Sequence, residues 1–262
     1  MHQYIPKRIT EYREPFVGGA SGILYHQQRL IKPAKIIKAS DANADLINFW
    51  KAVQVNPTAL YNRILDWVNK YDTMDKLWHE IRYIEHLHSL DDKLDKAAVY
   101  YLVHKISFSG TGYASSGGRS GKYYGADAFD IIKRNIELDK FKKISAMFEN
   151  VDIRCADYTD LLMEDGKGVF IYLDPPYSNV SNLYGDRGEY HNNFDFYRLR
   201  DNLEKTNHKW LMTLDDSTFI RDLFQNFRMI EFFNPHKTSR AKKENLKESS
   251  GMELLISNYA RF

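Results

Sequence analysis

Val169-Phe170-Ile171-Tyr172-Leu173-Asp174-Pro175-Pro176-Tyr177 joins five apolar residues to an acid, two prolines and a tyrosine. An unbroken apolar run of that length predicts a strand buried on both faces, as in a parallel sheet. Polar residues directly after such a strand lie at its carboxyl end, where open α/β sheets form their ligand crevice. The two prolines fix two φ angles, remove two N–H donors and push each preceding residue toward extended backbone. The turn is therefore stiff and presents acceptors. The Asp174 carboxylate and the Pro175 carbonyl can together receive both hydrogens of an amino group, and the Tyr177 ring offers a face to a planar heterocycle. The same residues also read as a rigid strand-to-loop turn with a solvated acid.

Outward from this stretch, strands alternate with helices. Glu11 to Gly22 reads as a short strand and a Gly-rich turn that run into a helix from Ile23. Ala34 to Asp41 is a β-branched run followed by helical spacing from Asp45 to Trp50. From Asn56, apolar residues recur every three or four positions, at Leu60, Ile64, Leu65 and Val68 and again at Leu77, Ile81, Ile84 and Leu87, which predicts a helical bundle. A further helix over Leu94 to Phe108 leads into Ser109 to Gly125, with six glycines in seventeen residues, a long loop or irregular hairpin. One helix is expected around Ala126 to Phe148. Strand patterns return at Val151 to Ala156, Val169 to Leu173, Trp210 to Leu214, Phe227 to Phe233 and Glu253 to Tyr259. The last two are joined without a helical pattern and are expected to form an antiparallel hairpin. The expected architecture is an α/β, mostly parallel sheet interrupted by a helical insertion, with residues 1–55 and 145–262 as one domain and 56–144 as another.

Composition narrows the function classes. The 262 residues are 43% hydrophobic and 27% charged, which excludes global disorder. The longest apolar runs fall far short of the ~20 residues a membrane span needs, and the polar start lacks a signal-peptide core, so a cytoplasmic protein with no membrane partner is expected. Cys155 is the only cysteine, which leaves no internal disulfide or Cys-rich zinc site, and it is expected to be a small buried hydrophobe in its strand. His86 and His88, two apart on a helix, do not share a face, so no metal pair is expected. A net charge of +2 does not itself demand a polyanionic partner.

The turn Gly18-Gly19-Ala20-Ser21-Gly22 lets backbone approach a ligand at the start of a helix. It does not spell Gly-x-Gly-x-x-Gly, and no phosphate-loop motif occurs in the chain, which argues against nicotinamide, flavin or nucleoside-triphosphate chemistry. Asp41, about twenty residues on at a strand end, sits where an acid accepts from ribose hydroxyls, or else caps the helix that follows. Turn, spacing and acid together point to a nucleoside-bearing cofactor.

Glu-Pro-Phe-Val-Gly-Gly (14–19), Asp-Ala-Asn-Ala-Asp-Leu-Ile-Asn (41–48), Cys-Ala-Asp-Tyr (155–158), Asp-Pro-Pro-Tyr (174–177) and Glu-Leu-Leu-Ile-Ser-Asn-Tyr (253–259) occur in order along the chain. Their order and spacing resemble the Dam-like, D12-class DNA adenine-N6 methyltransferases over most of its length. The resemblance implies a class I methyltransferase (Rossmann-like) fold that binds S-adenosyl-L-methionine beside an adenine flipped out of double-stranded DNA, with a helical target-recognition insertion. It places Glu14, Pro15, Phe16, Gly18, Gly19 and Ser21 at the methionine end of the cofactor, Asp41 at the ribose hydroxyls and Asp157 with Tyr158 at its adenine, and Ala42 among the cofactor-binding residues. It makes Asp174, Pro175, Pro176 and Tyr177 the catalytic turn. Family members usually carry an aromatic-Gly-Gly-Lys segment ahead of Glu-Pro-Phe, and here Tyr4 and Lys7 are the candidates to take its place.

Ser109 stands where the family commonly has asparagine, which bears on the recognition sequence. Leu214-Asp215-Asp216-Ser217 replaces a more usual Ser-Asn element. Two basic segments are candidates for DNA phosphate: Arg119 and Lys122 with Tyr123, and His236, Lys237, Arg240, Lys242, Lys243 and Lys247. Methyl transfer from a sulfonium needs no metal, and a monomer is expected. The alternatives are a cytosine-N4 or RNA adenine methyltransferase with the same acceptor geometry, or a DNA-binding homologue without turnover. The absence of a Pro-Cys dipeptide removes the nucleophile of cytosine-C5 chemistry.

Overall fold

A computed structural model describes residues 4–6, 8–29, 34–107, 110, 112–114, 119–123, 127–178, 194–233 and 252–259. In chain order they form β1 (Glu11–Glu14), α1 (Ser21–Arg29), β2 (Ile36–Asp41), α2 (Ala44–Val55), α3 (Pro57–Asn69), α4 (Met74–Ile81), α5 (Ile84–Ser89), α6 (Lys93–Ile106), α7 (Ala128–Asn135), α8 (Leu138–Phe148), β3 (Val151–Cys155), α9 (Tyr158–Met163), β4 (Val169–Leu173), α10 (Phe196–Lys205), β5 (Lys209–Asp215), α11 (Thr218–Leu223), β6 (Arg228–Phe233) and β7 (Met252–Ser257). Two compact units result, one from the described residues of Met1–Ser40, Ala156–Ser181 and Phe194–Phe262, the other from those of Asp41–Cys155.

In the first unit the strands hydrogen-bond in the order β2-β1-β4-β5-β7-β6. β2, β1, β4 and β5 run parallel, with Tyr12 opposite Ile37 on one side and Phe170 on the other. β7 lies antiparallel between β5 and β6, so the expected hairpin forms and also adds its second strand to the parallel part. All five residues of β4 are buried, as its unbroken apolar run requires. Leu173, Trp210, Met212, Leu254 and Ile256 share one core with Leu199 and Leu203 of α10. Chain order reverses at β1, which has β2 on one flank and β4 on the other. The carboxyl ends of β1 and β4 therefore flank a topological switch point, the crevice position of open α/β sheets. The Glu14-Pro15-Phe16 and Asp174-Pro175-Pro176-Tyr177 segments both begin there.

The second unit is helical apart from β3. Asn56 separates α2 from α3 and caps the latter, its side chain accepting from Ala59 N at 2.9 Å with Pro57 at the first helical position, the place where a missing N–H costs least. α2 and α3 both pack on α6 and α8, and Trp50 stacks on Phe148 at 5.0 Å.

The structure corrects two expectations. The helix expected around 126–148 is two, because Ile136 adopts an extended backbone and is buried, which redirects the chain between α7 and α8. Cys155 is exposed, its Sγ 3.8 Å from the Ala42 carbonyl. It is the last residue of β3, beyond the buried Val151 and Ile153 of the same face. Among the described residues no helix is long and apolar enough to cross a membrane.

Candidate active site

β1 alternates Glu11, Tyr12, Arg13 and Glu14, all buried. Tyr12 and Glu14 share one face, and the Tyr12 hydroxyl donates to Glu14 Oε2 at 3.0 Å. The amides of Gly22 and Ile23, at the amino end of α1, also donate to the Glu14 carboxylate. This arrangement explains Gly22, which the cofactor motif did not single out. A Cβ there would lie 2.6 Å from Glu14 Oε2 and 2.7 Å from the Tyr12 hydroxyl. Burial, reinforced by the charge of Asp174, pushes Glu14 up to about 8, against the opposing hydrogen bonds from Tyr12, Gly22 and Ile23.

A stability prediction follows. The unfolded chain releases the Glu14 proton near its ordinary value of 4.5, whereas the folded chain keeps it up to about 8. The stabilisation from that proton is complete below the lower value, declines through the interval and is gone above the upper one, at up to roughly 1.4 kcal/mol per pH unit. Thermal melts of the ligand-free protein should fall between about pH 5 and pH 8, and Glu14→Gln should flatten that slope. Equal slopes in both proteins would mean that Glu14 ionises normally.

After β1 the chain turns through Gly18 at φ 42° and Ala20 at φ 57° into α1. The turn is fixed by Ala20 N to Val17 O at 2.6 Å and Val17 N to Ser40 O at 2.9 Å. Ala20 is fully buried in a conformation sparse for non-glycine residues, strain of a kind that clusters at ligand sites. At Gly18 and Gly19 a Cβ would meet no atom within 4 Å, so the backbone faces open space into which a ligand can come close. Ser21 begins α1 and is exposed.

Beside this turn Phe16 stacks on Tyr158 at 5.2 Å and meets Phe194 edge-on at 5.7 Å. Asp157 caps α9, accepting from Thr159 N at 3.0 Å and Thr159 Oγ1 at 2.5 Å. Arg198 of α10 grips both oxygens of Asp157, at 3.0 and 2.9 Å, and lies 5.0 Å over the Tyr158 ring. Against the opposing effect of burial, Arg198 and Thr159 hold Asp157 below its ordinary range. Neither Arg198 nor Phe194 belongs to a motif quoted above. The first turn of a helix beginning Asp195-Phe196-Tyr197-Arg198 was the signal available for the arginine.

At the end of β4 the Asp174 carboxylate accepts from Thr213 Oγ1 at 2.7 Å and from the Tyr177 hydroxyl at 3.3 Å, both on Oδ1. Tyr177 packs with Phe16, Phe194 and Phe196 against the core, and burial and the neighbouring Asp174 raise its pKa. The next residue, Ser178, is held by Asp215. The structure thus brings Glu14, Pro15, Phe16, Gly18, Gly19, Ser21, Asp157, Tyr158 and Asp174 to Tyr177 into one unit. Tyr4 is in the same unit, its carbonyl accepting from the Tyr259 hydroxyl at 2.6 Å.

Asp41 and Ala42 belong to the other unit. Asp41 does not cap α2: Asn43 does, accepting from Asp45 N and Leu46 N, while Asp41 Oδ1 accepts from Asn43 N at 3.0 Å. The glycine-rich segment is pinned to the end of α6. Ser107 bridges to Arg119, its hydroxyl accepts Gly112 N at 2.8 Å, and Ser120 N donates to Ile106 O at 2.8 Å. Arg119, with 9% of its side chain exposed, pairs with Asp75, and Tyr123 is fully buried. Both side chains turn inward, where the sequence pattern points them toward phosphate. Lys122 lies in the 3-10 turn Gly121–Tyr123. Lys7, Ser109, His236, Lys237, Arg240, Lys242, Lys243 and Lys247 lie outside the described residues. Among the described residues no group of three or more His, Cys, Asp or Glu could hold a metal ion.

A family profile described as D12 class N6 adenine-specific DNA methyltransferase matches residues 1–235. Type II methyltransferase M.CviBI of Paramecium bursaria Chlorella virus NC1A is 25% identical over 260 residues, covering 98% of this chain and 92% of the relative. Type II methyltransferase M1.LlaDCHI of Lactococcus lactis subsp. cremoris is 23% identical over 98% of this chain and 89% of its own length. DNA adenine methylase of Vibrio cholerae is 24% identical over 87% and 80% respectively. With a profile match over most of its length, the chain belongs to the D12 class of N6 adenine-specific DNA methyltransferases and is a site-specific DNA methyltransferase acting on adenine.

Proposed function

We propose that the Asp174 carboxylate and the Pro175 carbonyl accept the two hydrogens of the target adenine N6, with Tyr177 stacking on the base, and that the methyl donor is S-adenosyl-L-methionine. The observation that carries this reading is the braced Asp174 carboxylate, two hydroxyl donors on one oxygen, at the carboxyl end of a fully buried strand. When bound, the cofactor would supply a methyl group on a sulfonium sulfur, which leaves as a neutral thioether keeping the electron pair of the broken carbon–sulfur bond. The N6 lone pair is delocalised into the purine, and accepting both N–H bonds draws it out of the ring plane toward the incoming carbon. Positive charge growing on N6 meets a carboxylate already in place, so little reorganisation is needed as the charge forms. The nitrogen gains one bond to carbon and sheds one hydrogen, which leaves as a proton along the hydrogen bond to Asp174.

For the donor, the turn from Glu14 to Ser21 is assigned to the methionine end and Asp157 with Tyr158 to the adenine. The open space beside Gly18 and Gly19 and the ionised Asp157 suit a ligand with a charged end and an amino-bearing ring. For Tyr4, Lys7, Asp41 and Ala42 the support is the family resemblance. An adenine inside a duplex is unreachable, so the base is extruded at a cost of a few kcal/mol, recovered by stacking and hydrogen bonding. Residues 56–144 are assigned to target recognition, with Ser109, Lys122, Arg240, Lys242 and Lys243 as DNA contacts, while Arg119 and Tyr123 shape the loop that carries Lys122. A monomer is the proposed working form.

Incubation with methyl-labelled S-adenosylmethionine and duplex DNA, followed by nucleoside analysis, tests the reading. N6-methyladenine is the expected product. N4-methylcytosine, label only in RNA, or cofactor and DNA binding without product would each overturn it.

A further inference from the structure

We infer that β5 is a template for the acceptor turn, holding it at both ends: Thr213 positions the Asp174 carboxylate and Asp215 positions Ser178. The inference rests on Asp174 being the acceptor. Thr213 and Asp215 are two apart on β5 and so project from one face, toward the neighbouring end of β4. Thr213 Oγ1 has one hydrogen, and its neighbours include Asp174 Oδ1 at 2.7 Å, Leu173 O at 3.4 Å, the Tyr172 hydroxyl at 3.2 Å and the Tyr177 hydroxyl. The charged, nearest acceptor takes that hydrogen, and the Tyr172 hydroxyl donates to Thr213 in turn. A buried relay from Tyr172 through Thr213 thus fixes the rotation of the Asp174 side chain.

Two residues further along β5, Asp215, 1% exposed, uses both oxygens on a single residue. Oδ1 accepts Ser178 N at 2.5 Å and Oδ2 accepts Ser178 Oγ at 2.6 Å. Ser217, which caps α11, adds a third tie, its Oγ 3.1 Å from Ser178 Oγ. The prolines of the turn fix φ at two positions but leave ψ and the overall pitch open. Tying the residue before the prolines and the residue after Tyr177 to one rigid strand removes that freedom. Fixing a reacting geometry in this way acts on the chemical step, because a displacement of about 1 Å can cost about a hundredfold in rate. Thr213, Asp215 and Ser178 are positioning residues, since each acts through the turn and not on the adenine.

The test is Thr213→Val, which keeps the branched shape and removes the donor, with Thr213→Ser as its conservative partner. Thr213→Val should lower kcat about 10- to 100-fold while the cofactor Kd and the KM for DNA stay within about threefold. Thr213→Ser should restore most of the rate. Ser178→Ala tests the other end, with a smaller fall in kcat, unchanged cofactor affinity and intact thermal stability. Asp215→Asn should speed hydrogen exchange at the Ser178 amide, a readout independent of activity. A folded Thr213→Val enzyme with normal kcat, or a fall in KM affinity matching the fall in rate, would overturn the inference while Asp174→Ala stays inactive. If Thr213→Val does not fold, the same criteria apply to Ser178→Ala. An active Asp174→Ala would instead remove the acceptor reading beneath it.

Discussion

Asp174→Ala should reduce methyl transfer by roughly a thousandfold or more in kcat, the loss seen when a preorganised group facing developing charge is removed. The same substitution should change cofactor affinity by no more than a few-fold. An interaction made chiefly in the transition state appears in kcat and scarcely in ground-state binding. Asp174→Asn retains one acceptor oxygen without the charge, and its rate should fall between the two. The fold should survive, because the main casualties are the Thr213 and Tyr177 hydroxyls, which lose an acceptor at a cost of about 1–3 kcal/mol. A secondary effect checks the electrostatics. The charge of Asp174 helps to raise Glu14, so without it the pH-dependent fall in stability should begin and end at lower pH. Single-turnover labelling and calorimetric cofactor titration on the same preparation decide the matter. A variant that methylates at near-normal rate would exclude Asp174 as the acceptor, and one that neither binds cofactor nor folds would show that its role is architectural.

How much of this was legible beforehand depended on whether the cause was local. An all-apolar run followed by Asp-Pro-Pro states its own burial and its own stop, so β4 and the acceptor turn could be placed from nine residues. The Glu-Pro-Phe-Val-Gly-Gly turn was equally local, since glycine at a positive φ and a following helix lie within one short segment. The partners of those segments were not local. Thr213 and Asp215 reach Asp174 and Ser178 across 39 and 37 residues, and only the β4–β5 register, with Leu173 opposite Met212, brings them together. The break at Ile136 carries no glycine or proline, so nothing in the spacing announces it. Asp41 and Asn43 have equivalent capping chemistry two residues apart, and which one caps α2 is settled by where the first helical turn begins. Arg119 and Tyr123 show the limit of reading a basic, aromatic loop as a nucleic-acid surface. The sequence shows the charge, but Asp75 of α4 decides where the arginine points.

The four residues of β1 hold the molecule's sharpest separation of stability from chemistry, because a strand sends successive side chains to opposite faces. Tyr12 and Glu14 face the acceptor turn. Glu11 and Arg13 face the other way, and Arg13, completely buried, donates to Glu11 Oε1 at 2.7 Å, Leu161 O at 2.7 Å, Glu164 O at 2.5 Å and Asp165 O at 3.0 Å. Lys38 joins through Glu11 at 2.8 Å and Glu164 at 2.5 Å, and against the effect of burial these cations hold Glu11 below its ordinary value. Arg13 therefore ties β1 to three carbonyls at the end of α9 and on the approach to β4. Arg13→Met removes that charge from a site water cannot refill, leaves three carbonyls short of a donor and halves the cationic support of Glu11. The expected cost is about 3–5 kcal/mol, a large part of a typical folding free energy of roughly 5–15 kcal/mol, seen as a fall in Tm of roughly 10 °C or more. Adding Glu11→Leu should recover part of the loss, since the pair is removed together and its desolvation cost with it. At temperatures where Arg13→Met remains folded, kcat should stay within about threefold of the parent, because the Tyr172–Thr213–Asp174 relay lies on the opposite face. Thermal denaturation of the single and double variants, paired with kcat measured well below the transition, provides the check. A negligible change in Tm would mean that burying the guanidinium costs as much as its four hydrogen bonds return, and a collapse of kcat in the folded variant would mean that the two faces of β1 are coupled.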